Sequence, residues 1–315
     1  MSNNINWGKI YESTAWGSGV TDNNISWGKS YADLAGGGGT PFVGLLDTYS
    51  GAAAAYSLRQ LSSTYSGNAI KVRRASDNAE QDIAFSNNEL DTATLETFAS
   101  GTDAFVTTWY DQSGNGRNAT QATAAAQPKI VSSGSTILDG GKATLEFDNS
   151  NLNFAGTLLN TSSAHTNFAL YRLRNGNANN NMIMTLKNNS KDLLYFMGGD
   201  GLSSYKDFVI GAAQGWIGYR YNGIAINEFK LLTDYYNGSG TNNVSNFSRY
   251  SNNTLQTSIS QQPFVGSDTT NNNIGNWGSV IPTPINITEI IIYPSDESSN
   301  ISAIQTNIND FYSIY

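Results

Sequence analysis

The stretch "DAFVTTWYDQSGNGRN" (103–118) sets the terms for the fold, because a run of β-branched and aromatic residues stops there at an Asn/Gly turn. The same pattern continues in "KATLEFD", "TNFALYRLR", "NMIMTLK", "DLLYFMG", "GWIGYRYNG" and "AINEFKLLT", punctuated by Asn, Gly and Ser. It ends in "INITEIIIYPS" (285–295), a long apolar strand closed by proline. Many short strands with a few helices predict an all-β protein: a two-sheet antiparallel, jelly-roll sandwich with short peripheral helices and an extended N-terminal tail. The chain has no cysteine, so disulfides and thiolate metal sites are excluded and packing alone must hold the sheets together.

Three helices are expected. "TYSGAAAAYSLRQLSS" (48–63) is Ala-rich and free of proline. "ELDTATLETFAS" (89–100) places Leu90, Leu95 and Phe98 roughly on one side. "DESSNISAIQTNINDFYSIY" puts Ile301, Ile304, Ile308, Phe311, Tyr312 and Tyr315 at helical spacing, with Asp296 and Glu297 where a helix start favours negative charge.

Charge narrows the partners. The 315-residue chain carries a net charge of −8, and "KVRR" (71–74) is its one dense basic cluster, so no nucleic-acid partner is expected. No run approaches the roughly 20 apolar residues of a membrane span, and the polar N-terminus lacks the pattern of a secretion signal.

The N-terminus repeats itself. Asn3, Asn4, Ile5, Trp7, Gly8, Lys9 and Tyr11 recur 20 residues later as Asn23, Asn24, Ile25, Trp27, Gly28, Lys29 and Tyr31. Two copies are too few for a solenoid, and neither holds enough apolar residues for a core. A tandem aromatic anchor suits a docking peptide, where large rings supply contact area and duplication supplies avidity. The alternative is a hairpin that packs both indoles on the chain's own domain. The expected organisation is a docking segment at 1–34 with Ile5, Trp7, Tyr11, Ile25, Trp27 and Tyr31 as contacts, a Gly-rich joint at 35–41, and a sandwich at 42–315.

Three segments carry a family resemblance: "TPFVGLLDTYSGAAAAYSL", "KVRRASDNA" and "FASGTDAFVTTWYDQSGNGRNATQA". They resemble the fungal-type α-L-arabinofuranosidase B catalytic domain of glycoside hydrolase family 54, most clearly over 40–128. The resemblance resumes in "FVGSDTTNNNIGNWGS" (264–279) and "EIIIYPSDESSNISAIQTNI". It implies a concanavalin-like sandwich acting on arabinofuranose side chains, with Asp268 matching the acid/base aspartate. Hydrolysis with retention needs a second carboxylate about 5 Å away as nucleophile. No glutamate occurs between Glu146 and Glu228, and Asp192, Asp200 and Asp207 lie in no family motif. The family's disulfide cysteines are absent as well. A scaffold without its nucleophile is expected to lose turnover.

The tandem repeats ahead of a hydrolase-like sandwich also resemble tailed-phage virion proteins. That resemblance implies a head or tail fibre or decoration subunit, assembled in the host cytoplasm and released by lysis, with other virion proteins as partners. By analogy with fibres it also implies a homo-oligomer, a trimer. Carbohydrate is the expected ligand, since Trp and Tyr faces with Asn and Asp hydrogen bonds suit sugar rings. Trp277, Asp268, Asn272, Trp216 and Tyr219 are the candidate contacts. No cofactor or metal is expected. "DQSGNG" starts like a calcium loop but has Ala122 at its twelfth position, so Asp111 is expected to bond to its own loop. Arg73 or Arg74 is expected to pair with Asp77, and His165, the single histidine, to sit at a surface or turn.

Overall fold

The computed structural model describes residues 41–315 except 157, 160–162, 175–180, 189–190, 198–204, 213–214, 223–226, 239–245, 265–271 and 276–283. Within 181–222 and 258–264 it describes the backbone alone, save the side chains of 183–186. The chain divides into two units between Val43 and Gly44, and every described strand and helix belongs to the unit Gly44–Tyr315. The expected docking contacts at 5–31 lie outside the described residues.

The architecture is antiparallel β throughout, as expected. The central strand Ile285–Tyr293 is buried at every position. Along one edge it pairs with His165–Leu173. Along the other it pairs with Leu145–Phe147 and then Ala54–Ser57. His165–Leu173 continues outward to Phe229–Tyr236, Phe247–Ser251 and Thr254–Gln256. A second layer runs from Glu80–Ile83 through Ile70–Arg74, Ala104–Trp109, Ala119–Thr120, Asn151–Phe154 and Asn272–Gly275 to Asn181–Asn188. The strands Lys191–Met197, Tyr205–Ala212, Gly215–Asn222 and Ser258–Phe264 extend it. The layers are not separate sheets. A bridge between Glu146 on Leu145–Phe147 and Lys129 on Lys129–Ser132 makes them one hydrogen-bonded network.

A register shift gives the central strand two apolar faces. Leu170 pairs with Glu289 and Tyr171 with Ile287, so Thr288 is the extra residue of a bulge. Ile285, Ile287, Ile290 and Ile292 therefore all enter the core between the layers. Ile291 and Tyr293 enter a second core beneath the C-terminal helix Ile301–Tyr312. That helix buries Ile301, Ile304, Ile308 and Tyr312, as its spacing predicts. It ends at Ser313, which leaves Tyr315 outside it and 50% exposed. Asp296 and Glu297 lie ahead of the helix start and shape its approach: Glu297 accepts from Asn300 Nδ2 at 2.7 Å and Asp296 from the Ser298 N–H at 2.9 Å.

The expected helix at 48–63 is not formed. The helix in this region is Leu45–Thr48, and the alanine run leads into the strand Ala54–Ser57. Ala54 and Tyr56 face the interlayer core while Ala55 faces the helix core. A strand buried on both faces reads as a continuous apolar run, and here tertiary packing overrides the helical preference of alanine. The shorter expected helix is present as Thr92–Ala99, with the Asp91 side chain accepting from the Thr94 N–H.

A buried ion pair fastens these parts together. Glu289, 1% exposed, accepts from Arg59 Nε at 2.8 Å and Nη2 at 3.0 Å. It also accepts from Ser57 Oγ at 2.7 Å and the Tyr312 hydroxyl at 3.2 Å. Arg59 Nη1 donates to Asn307 Oδ1 on the C-terminal helix at 3.0 Å. Burial beside this carboxylate raises the Tyr312 phenol well above its ordinary pKa. Removing one partner leaves an uncompensated buried charge, so E289A should cost about 3–5 kcal/mol in denaturant unfolding. The apolar double variant R59M/E289L should recover most of that loss.

Candidate functional site

The loop after Ala104–Trp109 is a brace. Asp111, 4% exposed, accepts from the N–H groups of Ala55, Ser113 and Arg117 and from Ser113 Oγ, all within 3.0 Å. Gln112 accepts from the Leu61 N–H at 2.7 Å and donates to the carbonyls of Ser57 and Arg59 at 3.0 Å. Asn115 Nδ2 donates to the carbonyls of Ala52 and Ala53, and Arg117 Nη1 also reaches Ala53 O. The motif thus ties down 52–61, the segment that holds the first strand and Arg59. The Asp111 carboxylate serves its own loop and that segment, as expected, and no cluster of three metal-type side chains occurs among the described residues.

Arg74 forms the expected ion pair with Asp77, at 2.6 and 3.0 Å. The guanidinium holds the Asp77 carboxyl down at about 2. Arg73 instead reaches Gln127 Oε1 and Asn78 Oδ1.

His165 departs from expectation. It opens the strand His165–Leu173, is 1% exposed and packs against Tyr236 with ring centroids 5.3 Å apart. Desolvation lowers its pKa to about 4. It is a core residue because the strand already begins at His165, ahead of the run "TNFALYRLR" that announces it in the sequence.

The other buried carboxylates among the described residues are paired with guanidinium groups. Asp139 accepts from Arg172 Nε at 2.7 Å, and Asp234 accepts from Arg249 Nε and Nη2 at 2.6 and 2.8 Å. Asp234, like Glu289, stands inside an apolar strand run, a signal legible in "FKLLTDYY" and "ITEIIIY". These charges hold neighbouring strands together.

The described residues line at least two clefts. The larger, ≈ 290 Å³, is lined by Asp47, Ser62, Tyr65 and Gln112 among others. Asp47 there already accepts from Ser62 Oγ and the N–H groups of Gly44 and Ser63, which lower its pKa against the opposing effect of burial. The smaller, ≈ 220 Å³, contains the Glu89–Lys142 pair at 2.7 Å beside Phe311. Neither holds a pair of carboxylates.

Of the expected sugar contacts, Asp268 and Trp277 lie outside the described residues. Trp216 and Tyr219 lie on the strand Gly215–Asn222, described by its backbone alone. Asn272 is 2% exposed and donates through Nδ2 to the carbonyls of Phe154 and Gly156 at 3.2 and 2.6 Å. The side chain ties the strand Asn272–Gly275 to the end of Asn151–Phe154 and the loop after it.

Comparison with known proteins gives a consistent picture. Residues 33–145 match the family described as "Alpha-L-arabinofuranosidase B, catalytic". An 86-residue stretch is 40% identical to a probable alpha-L-arabinofuranosidase B of Aspergillus fumigatus, covering 25% of this chain and 17% of that protein. A solved arabinofuranosidase complexed with arabinofuranosyl-alpha-1,2-xylobiose is similar with a TM-score of 0.52 at 18% identity, over 82% of this chain and 62% of that one. A GH54 α-L-arabinofuranosidase soaked with a cyclic sulfate inhibitor has a TM-score of 0.50 at 17% identity, over the same shares of both chains. The chain therefore spans a small part of the curated relative and less than two thirds of the solved ones. Its fold is that of an arabinofuranosidase-like β-sandwich, with the sequence likeness concentrated in 33–145.

The brace and the buried histidine both bear on stability. D111A strands three backbone donors, so it should lower unfolding free energy by about 2 kcal/mol or more, and calcium should not shift the melting temperature of the parent protein. His165 is neutral when folded, whereas the unfolded chain takes up its proton below the ordinary value of 6.5. Stability should therefore fall as pH drops from about 6.5 towards about 4, by about 3 kcal/mol in total. H165F, which keeps a ring against Tyr236, should lack that slope in pH-dependent denaturation.

Proposed function

We propose that this protein is a glycan-binding sandwich displayed on a tailed-phage particle, a fibre or decoration subunit anchored through residues 1–34. The observation that carries the reading is an arabinofuranosidase-like fold with an incomplete acid pair. No glutamate stands between 147 and 227, and the buried carboxylates of the described core are held by arginines or by their own loop. A sugar-shaped scaffold without its nucleophile retains binding and loses bond cleavage. The tandem Trp7 and Trp27 phrases support attachment to other virion proteins. Assembly in the host cytoplasm, release by lysis and a trimeric state belong to the same proposal. Deleting residues 1–40 should abolish incorporation into particles while the sandwich keeps its melting temperature; normal incorporation refutes the anchor.

A second reading is favoured by the match of 33–145 to a catalytic family: an active arabinofuranosidase-like hydrolase of surface polysaccharide in which Asp268 is the acid/base and the sequence does not reveal the nucleophile. Turnover of an aryl α-L-arabinofuranoside that disappears in D268N would establish it. The binding-only reading expects no turnover from either protein.

A further inference from the structure

The larger cleft has a chemistry that the fold does not consume. It opens between the helix Leu45–Thr48, the loop at 62–65 and the loop at 112–114, with a volume of ≈ 290 Å³. Asp47, Ser50 and Thr64 on its wall are exposed, so a ligand can reach them. Gly51 and Gly114 border it, and a Cβ at either would meet no atom within 4 Å. The entrance is open there.

The hydrogen bonds already made decide what the cleft lacks. Ser62 has one hydroxyl proton and gives it to Asp47 Oδ1 at 2.7 Å. The Thr64 hydroxyl, 2.9 Å from Ser62 Oγ, must then be the donor of that contact. Ser62 Oγ also accepts from the Thr64 N–H at 3.2 Å, which fills it. Thr64 Oγ1 is left with its proton committed and its lone pairs open, and donation along the chain to a carboxylate makes it a better acceptor. Asp47 accepts from Ser62 Oγ and from the N–H groups of Gly44 and Ser63, which leaves about one of its four acceptor positions. Tyr65 spends its proton on the Asn68 carbonyl at 2.9 Å, and Gln112 spends its amide hydrogens on Ser57 and Arg59. Ser50 apart, the side-chain donors of the wall are in use while acceptors remain.

Such a site asks for a ligand that brings hydroxyl hydrogens. No Lys, Arg or His stands among the residues that line it, so an anionic ligand meets only the like charge of Asp47. An ammonium group would find a carboxylate that is nearly filled, in a space much larger than itself. Leu46, Ala52 and Tyr65 add apolar surface, which suits the C–H face of a sugar ring. The volume lies just below the range of about 300–1,000 Å³ for small-molecule sites, room for one ring rather than a chain.

We propose that this cleft binds a single neutral sugar ring, with Thr64 and Asp47 accepting its hydroxyl hydrogens. The proposal rests on the glycan-binding reading and gives that ligand a place, a charge class and a size. It uses none of the residues expected from the sequence as sugar contacts.

The full chain should be tested on an array of neutral and acidic saccharides, with affinities for the hits measured by calorimetry. Binding to neutral members, insensitive to ionic strength, is expected. S50W, which fills the cleft from an exposed position, should abolish it with a melting temperature close to that of the parent. T64V, which keeps the side-chain shape and removes the acceptor, should weaken it about five- to tenfold, the worth of one hydrogen bond. Parent-like affinity in both variants overturns the cleft while glycan binding stands. Hits confined to acidic saccharides, or affinity that falls as salt is added, overturn the neutral assignment. An array with no hits overturns the cleft and the glycan-binding reading together.

Discussion

A carboxylate in the middle of an apolar strand governs this molecule. Glu289 is buried in the core, and Arg59 reaches it through two parallel hydrogen bonds. Because Arg59 lies just beyond the strand Ala54–Ser57 and also touches Asn307, that contact fixes three elements relative to one another. The first strand, the central strand and the C-terminal helix meet around one charge. The two cores can then form on opposite sides of the same sheet, one against the second layer and one beneath the helix. Hydrophobic burial supplies the drive in both, but it is non-directional. The ion pair supplies direction.

The residues that resemble a hydrolase most closely are the ones that build this junction. The side chains of the loop from Asp111 to Arg117 grip the backbone of 52–61, and Gln112 also lines the larger cleft. A family likeness concentrated in 33–145 is thus a likeness of framework. A shared framework does not by itself assign a chemistry.

Much of the fold was legible because periodicity and turn residues are local signals. "INITEIIIY" announced a long apolar strand, and Ile301, Ile304 and Ile308 announced a buried helix face. The alanine run at 52–55 misled because its strand conformation is imposed by Ile290–Ile292 far along the chain. His165 misled for a similar reason: nothing near it in sequence reveals Tyr236. At the candidate site, Asp111 was legible as a loop residue. The burial of Asn272 was not, because two adjacent asparagines in a strand face opposite sides, and the sequence alone does not say which is which.

The pairing of Ser57 with Glu289 joins positions 232 residues apart. Such a contact cannot nucleate early, since closing so long a loop is entropically expensive before other contacts are in place. During synthesis the alanine strand must wait, unpaired on one whole edge, until the isoleucine strand leaves the ribosome. Expression at high level should therefore expose a sticky, half-built sheet for an extended time, and chains cut short before the isoleucine strand should accumulate as aggregates. A protein produced in bulk with this topology depends on its translation finishing.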